Sequence, residues 1–106
     1  MGRGVYARRT DTNQKEIVAA LRAHGCSVWI TASNGQPGVD LVVGLKKYNG
    51  DRVNLLMEIK DGEKPLSQQK LTACEQKFFN AWKGQVTIIR SVGQAIDYVT
   101  ACKAQG

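Results

Sequence analysis

The chain has 106 residues, of which 42% are hydrophobic and 23% charged, a composition typical of one globular domain. Its 15 lysines and arginines outnumber its 9 aspartates and glutamates, and the net charge of +6 favours an anionic partner, most often nucleic acid. No apolar run is long enough for a membrane span, and the arginine-containing start has no apolar secretory core. We therefore expect a single domain over residues 1–106, with a basic N-terminal arm over residues 1–10, no membrane partner and a cytoplasmic location.

The first predicted elements are a helix and a strand. Apolar residues recur with helical spacing over residues 13–24, and Gly25 is placed to end that helix. His24, the only histidine, falls at its end, and a single histidine excludes Ser-His-Asp and Cys-His nucleophile systems. The β-branched and aromatic segment 26–31 predicts a strand, and the segment 32–38 that follows it is turn-forming.

A β-hairpin is predicted next, with strands over residues 39–47 and 52–60 joined at Asn49-Gly50. A two-residue turn would put Asp40 and Glu58 on opposite faces and would divide the apolar residues between both faces. A three-residue loop, with Gly50 in the left-handed conformation, places Asp40 opposite Glu58 and collects the apolar residues on one face. Because a buried face fixes the register, we predict the three-residue loop or an equivalent bulge.

The last third of the chain predicts two helices and a strand. Thr72 and Glu75 form a capping box at the start of a helix over residues 73–83, which is followed by a strand over 85–91 and a helix over 92–104. The order is therefore α-β-β-β-α-β-α. Since a helix separates the last two strands, they should be parallel, in a mixed four-stranded sheet flanked by helices in an α/β fold. Four aromatic residues are expected in the core: Trp29, Phe78, Phe79 and Trp82.

The predicted register brings three charged residues to one face of the hairpin. Glu58 and Lys60 are about 6 to 7 Å apart on that face, and Asp40 joins them. Two neighbouring carboxylates repel each other unless a cation joins them or one is protonated, so the group is typical of a hard-metal site. The alternative is an ordinary Glu58–Lys60 ion pair on a solvated face, with Asp40 merely beginning a strand.

One pattern in the chain consists of PGVD, seventeen intervening residues and EIK. It resembles the signature of the PD-(D/E)XK nucleases, with Gly-Val inserted between the proline and the aspartate. Four segments in order are similar to small phage-type nucleases of the VRR-NUC and Holliday-junction-resolvase-like branch: NQKEIVAALRAHGCSVW, PGVDLVVG, LLMEIKDG and LTACEQKFFNAWKG. The resemblance implies a restriction-endonuclease-like core and a DNA endonuclease in the host cytoplasm. It also implies Mg²⁺ or Mn²⁺ as cofactor.

The resemblance assigns roles to individual residues. Asp40, Glu58 and the backbone carbonyl of Ile59 would bind the metal, and Lys60 would orient the attacking water. Glu16 matches a glutamate that the branch places near the metal, although Asn13-x-x-Glu16 also fits a helix-capping pair. An auxiliary glutamine is best matched by Gln76, and Gln68 and Gln69 compete for that assignment.

A nuclease must also hold phosphates on either side of the scissile one. Basic residues of the arm, the loops and the strand edges are candidates for these DNA contacts: Arg8, Arg9, Lys46, Lys47, Lys64 and Lys70. No base-reading motif is visible, so we expect selectivity for DNA structure, such as branches or junctions, and a homodimer where two strands are cut. The alternatives are a nicking or weakly selective phage DNA-processing nuclease, or a nucleic-acid-binding subunit without catalysis.

Overall fold

The computed structural model describes residues 13–31 and 38–106. The predicted basic arm, with Arg8 and Arg9, lies outside the described residues. The elements follow the predicted order, with one added 3-10 turn over Leu66–Gln68: α1 (Gln14–Ala23), β1 (Ser27–Ile30), β2 (Leu41–Lys46), β3 (Arg52–Ile59), α2 (Ala73–Ala81), β4 (Thr87–Ile89) and α3 (Val92–Ala104). No helix within the described ranges is long and apolar enough to cross a membrane.

The four strands form one mixed sheet in the order β1-β2-β3-β4. β1 and β3 both pair with β2 in antiparallel fashion, and β4 pairs with β3 in parallel. This confirms the mixed four-stranded sheet and the parallel crossover through α2. β4 is shorter than the predicted strand at both ends. At its start the Gln85 side chain bonds to the N–H and the carbonyl of Leu56, both at 2.8 Å. At its end the Arg90 N–H donates to the Gln94 side chain at 2.7 Å.

The hydrophobic core lies on one face of the sheet, beneath α1 and α3. Its fully buried side chains come from the odd-numbered positions of β2 and β3 and from the two helices, and include Leu41, Val43, Met57, Ile17 and Val99. Burial of a side chain of this size contributes about 1.5 to 3 kcal/mol. The opposite face of the hairpin carries Glu58 and Lys60, and α2 contacts that face through Glu75.

The hairpin turn has the predicted three-residue geometry. The N–H of Lys47 donates to the carbonyl of Asp51 at 2.7 Å, and the N–H of Gly50 donates to the carbonyl of Lys47 at 2.9 Å. Gly50 has a φ of 98°, in the left-handed region that glycine adopts without a steric penalty. The resulting register aligns Leu41 with Met57, which is the alignment predicted from the apolar pattern.

Two glycine substitutions should therefore change stability in opposite directions. We expect Gly50→Ala to lower the free energy of unfolding by roughly 1 to 2 kcal/mol, because alanine is strained at positive φ. Gly93→Ala in α3, where an added Cβ meets only the Ser91 hydroxyl at 4.0 Å, should raise it by up to about 1 kcal/mol. Urea denaturation of both variants measures the difference, and equal effects would contradict the left-handed turn.

The aromatic residues are less buried than the sequence suggested. Trp29 and Trp82 are 64% and 45% exposed, so their assignment to the core is wrong. Phe78 and Phe79 are only half-buried, and α2 has no buried residue and ends at Ala81, before the predicted end at 83. The reason is that α2 and the outward side of β1 lie on the sheet face that α1 and α3 do not cover.

The three cysteines of the chain are unpaired thiols. Cys26 is buried, Cys102 is half-buried and Cys74 is exposed, and all three are free. Burial raises the pKa of the Cys26 thiol, and the nearby charge of Lys103 partly offsets this effect. Cys26 packs in the core as a small hydrophobic side chain.

Candidate active site

Asp40 lies directly before β2, at the end of the hairpin opposite the turn. The paired β2–β3 register ends at Leu41 and Met57. The Asp40 N–H donates to the Met57 carbonyl at 3.1 Å, so the ladder is irregular at Asp40, whose charge acts on Glu58. A continued register would pair Ile59 with Val39, but the Ile59 N–H donates instead to Oδ2 of Asp40 at 2.8 Å. The Asp40 carboxylate thus satisfies the last backbone donor of β3 and is held at the end of the strand.

Glu58 and Lys60 are buried, although both side chains are ionisable. They are 2% and 8% exposed, and Nζ of Lys60 lies 3.9 Å from Oε2 of Glu58. Charged side chains are almost never buried to this extent unless they are paired. The burial argues against the alternative of an ordinary ion pair on a solvated face.

Glu75 of α2 completes this group, although the sequence pattern predicted only a helix-capping role for it. Its Oε1 lies 2.8 Å from Nζ of Lys60 and accepts the Thr72 backbone N–H at the same distance. The Thr72 hydroxyl accepts the Glu75 N–H in return, which confirms the predicted capping box. We call Asp40, Glu58, Lys60 and Glu75 the strand-end cluster.

The electrostatics of the strand-end cluster favour a protonated Glu58. Burial, the charge of Asp40 and a hydrogen bond and charge from Glu75 raise the pKa of Glu58 to about 10, and Lys60 opposes this shift only in part. Burial also raises the pKa of Glu75, but hydrogen bonds with Glu58, Lys60 and Thr72 outweigh it, so the net pKa is lowered. Without a further cation, the proton therefore resides on Glu58 and the negative charge on Glu75.

Glu16 lies in the first turn of α1, at the same end of the sheet. The amide of Asn13 donates to the carbonyls of Lys60 and Arg90 at 3.2 and 3.1 Å, which ties the start of α1 to the ends of β3 and β4. Because the Asn13 side chain makes no capping bond, the capping-pair interpretation of Asn13 and Glu16 is wrong. Glu16 is exposed and lines an open cavity of about 640 Å³ together with Asp61.

The three candidate glutamines occupy different environments. Gln76 is exposed, and its amide donates to Oδ1 of Asn80 at 2.9 Å along α2. Gln69 is buried and donates to the Lys64 carbonyl at 2.7 Å, while its Oε1 accepts from Nε of Arg90 at 3.1 Å. Gln68 is exposed in the 3-10 turn. The α2 residue joined to Lys60 is thus Glu75, the neighbour of Gln76.

The described candidates for DNA contact lie at two ends of the molecule. Lys46 and Lys47 lie beside the hairpin turn, and Lys46 is six residue steps along the strand from Asp40, a distance of about 20 Å. Lys64 and Lys70 lie in the segment between β3 and α2, half-buried and exposed respectively. A bound DNA duplex would have to extend over several base pairs to contact both pairs of lysines.

Comparison with protein-family models, curated proteins and solved structures finds no match to this chain. The site is therefore interpreted from its own geometry.

Two carboxylates of the strand-end cluster, Asp40 and Glu58, are ligands of the type that a hard divalent cation prefers. Within residues 13–31 and 38–106, no group of three or more His, Cys, Asp or Glu side chains could hold a metal ion. Mg²⁺, however, commonly binds one or two carboxylates together with waters and substrate phosphates. Asp40 and Glu58 supply two carboxylates, and the Ile59 carbonyl lies on the same side of β3 as its N–H, towards Asp40. A cation would also relieve the cost of an ionised, buried Glu58.

Proposed function

We propose that this protein is a divalent-metal-dependent endonuclease that hydrolyses DNA phosphodiester bonds, on a restriction-endonuclease-like core. The observation that carries the proposal is the buried Glu58, which is influenced by the charge of Asp40 and has the Lys60 ammonium 3.9 Å away. A protein that only bound nucleic acid would gain from basic residues here, not from two carboxylates. The net charge of +6 supports an anionic substrate.

Each residue has a distinct part in the proposed reaction. Asp40, Glu58 and the Ile59 carbonyl would hold Mg²⁺ or Mn²⁺. Glu16 lines the neighbouring cavity with Asp61 and is not a ligand in this proposal. The metal would supply Lewis-acid stabilisation of charge on the phosphate. Lys60, a cation whose position is fixed by burial, would orient the attacking water and stabilise negative charge that develops on the phosphate oxygens.

The substrate preference is proposed from the same features. No base-reading element was found in the sequence, so we infer selectivity for the shape of branched or junction DNA. One chain carries one strand-end cluster, and symmetrical cutting of two strands would require a homodimer. The exposed lysines Lys46 and Lys70, and the loop lysine Lys64, would contact phosphates, each contact weakening as salt rises.

Cleavage of a panel of substrates tests the proposal. Duplex, nicked, flap and four-way-junction DNA are incubated with the protein in Mg²⁺, Mn²⁺ or EDTA, together with Asp40→Asn. Asparagine keeps an oxygen acceptor for the Ile59 N–H but removes the charge, so the variant should fold and bind DNA yet cleave about 10² to 10⁴ times more slowly. Cleavage of no substrate with either metal, with binding retained, would favour the non-catalytic binding subunit.

A further inference from the structure

Glu75 connects α2 to Lys60 through a single carboxylate oxygen. Oε1 of Glu75 is 2.8 Å from Nζ of Lys60, and the two side chains are only 24% and 10% exposed. The same oxygen accepts the N–H of Thr72 at 2.8 Å. This contact therefore joins the first turn of the helix to the ammonium group at the end of β3.

The contact of Lys60 with Glu75 is shorter and more direct than its ion pair with Glu58. The distance from Nζ to Glu58 is 3.9 Å, beyond hydrogen-bond range, whereas the distance to Glu75 is within it. A lysine side chain has four rotatable bonds, so a fixed ammonium position requires a strong, directional partner. Charge-assisted hydrogen bonds to a carboxylate are about twice as strong as neutral ones.

Helix capping alone does not need the negative charge of Glu75. Glutamine serves as well as glutamate in a capping box, because the bond to the N-cap N–H requires only an oxygen acceptor. The charge acts instead on two buried side chains, the Lys60 ammonium at 2.8 Å and the Glu58 carboxyl. α2 has no buried residue, so this bond is also a main polar attachment of the helix to β3.

We propose that Glu75 is a positioning residue for the reaction, holding the Lys60 ammonium in place through a charged hydrogen bond; the inference rests on the proposed nuclease function. Glu75 acts through Lys60 and does not touch the substrate. Its removal should therefore lower kcat and leave KM nearly unchanged, because substrate binding does not depend on it.

Three variants separate positioning from capping. Glu75→Gln keeps the capping box and removes the charge, and we expect kcat to fall about tenfold or more with KM within about twofold. Thr72→Ala removes the hydroxyl of the cap and keeps the charge; it should lower the melting temperature with little effect on kcat. Asp97→Asn removes one exposed carboxylate from α3 and controls for the change in net charge.

A second measurement reports on Lys60 without any cleavage. In protein labelled with ¹⁵N-lysine, a buried, hydrogen-bonded ammonium exchanges its protons slowly and gives an NMR signal, which Lys60→Met assigns by its disappearance. We expect this signal in the wild-type protein and in Thr72→Ala, and its loss by fast exchange in Glu75→Gln.

The two measurements distinguish the outcomes. Loss of kcat and of the ammonium signal in Glu75→Gln, with both retained in Thr72→Ala, supports the positioning role. An unchanged signal in Glu75→Gln, or an equal loss of kcat in Thr72→Ala, overturns it. If the wild-type protein cleaves no DNA, the nuclease function fails, and the NMR signal still decides whether Glu75 holds Lys60.

Discussion

Replacement of Lys60 by methionine should reduce DNA cleavage by about 10² to 10⁴ times while leaving DNA binding within a few-fold of wild type. Methionine keeps an unbranched apolar stem in the buried position but removes the ammonium that faces Glu58 and Glu75. Initial rates with Mg²⁺ under single-turnover conditions measure the effect on the chemical step. Fluorescence anisotropy with labelled DNA, without Mg²⁺, measures binding.

The matched control is Lys83→Met, which removes the same charge from an exposed position beyond the end of α2. This variant should change binding slightly, through the net charge, and should leave the cleavage rate within about twofold. A Lys60→Met protein that cleaves at more than a tenth of the wild-type rate would exclude Lys60 from the reaction.

The second large effect concerns stability in the absence of metal. The pKa of Glu58 is about 10 in the folded protein, against an ordinary value of 4.5. The folded state therefore retains a proton that the unfolded state loses, and stability falls as pH rises from about 4.5 towards 10. Glu58→Gln cannot ionise, and its amide can still donate towards Glu75. We expect the variant to be more stable than wild type by about 3 kcal/mol at pH 7 and equally stable at pH 4.

Urea denaturation at pH 4, 5, 6, 7 and 8 in EDTA checks this difference, with Glu63→Gln, an exposed glutamate, as control. Mg²⁺ should stabilise the wild-type protein and not Glu58→Gln, because only the wild type offers both carboxylates. The stabilised variant should also have lost cleavage. Parallel stability curves for the wild type and Glu58→Gln across this pH range would show that Glu58 is not held protonated.

Short-range patterns in the sequence predicted much of the fold. Gly50 allowed the left-handed turn, and the apolar alternation in β2 and β3 selected the register that aligns Leu41 with Met57. The Thr72–Glu75 capping box correctly located the start of α2. These features depend on residues close in sequence or on one apolar pattern, so they can be read without knowing the tertiary structure.

Only the tertiary structure decided which side chains meet when they are distant in sequence. It also decided how deeply those side chains are buried. Glu75 was predicted as a cap, and the resemblance favoured Gln76, because nothing in the sequence states which side of α2 faces Lys60. Trp29 was expected in the core but lies on the uncovered sheet face.

The sequence by itself determined the α/β order, the hairpin register and the two carboxylates that the register brings together. The tertiary placement of α2 brought Glu75, fifteen residues from Lys60 along the chain, to 2.8 Å from the ammonium group. The physical reason is that register follows from local pairing and an apolar pattern, whereas the partner of a buried ammonium depends on how separate elements pack.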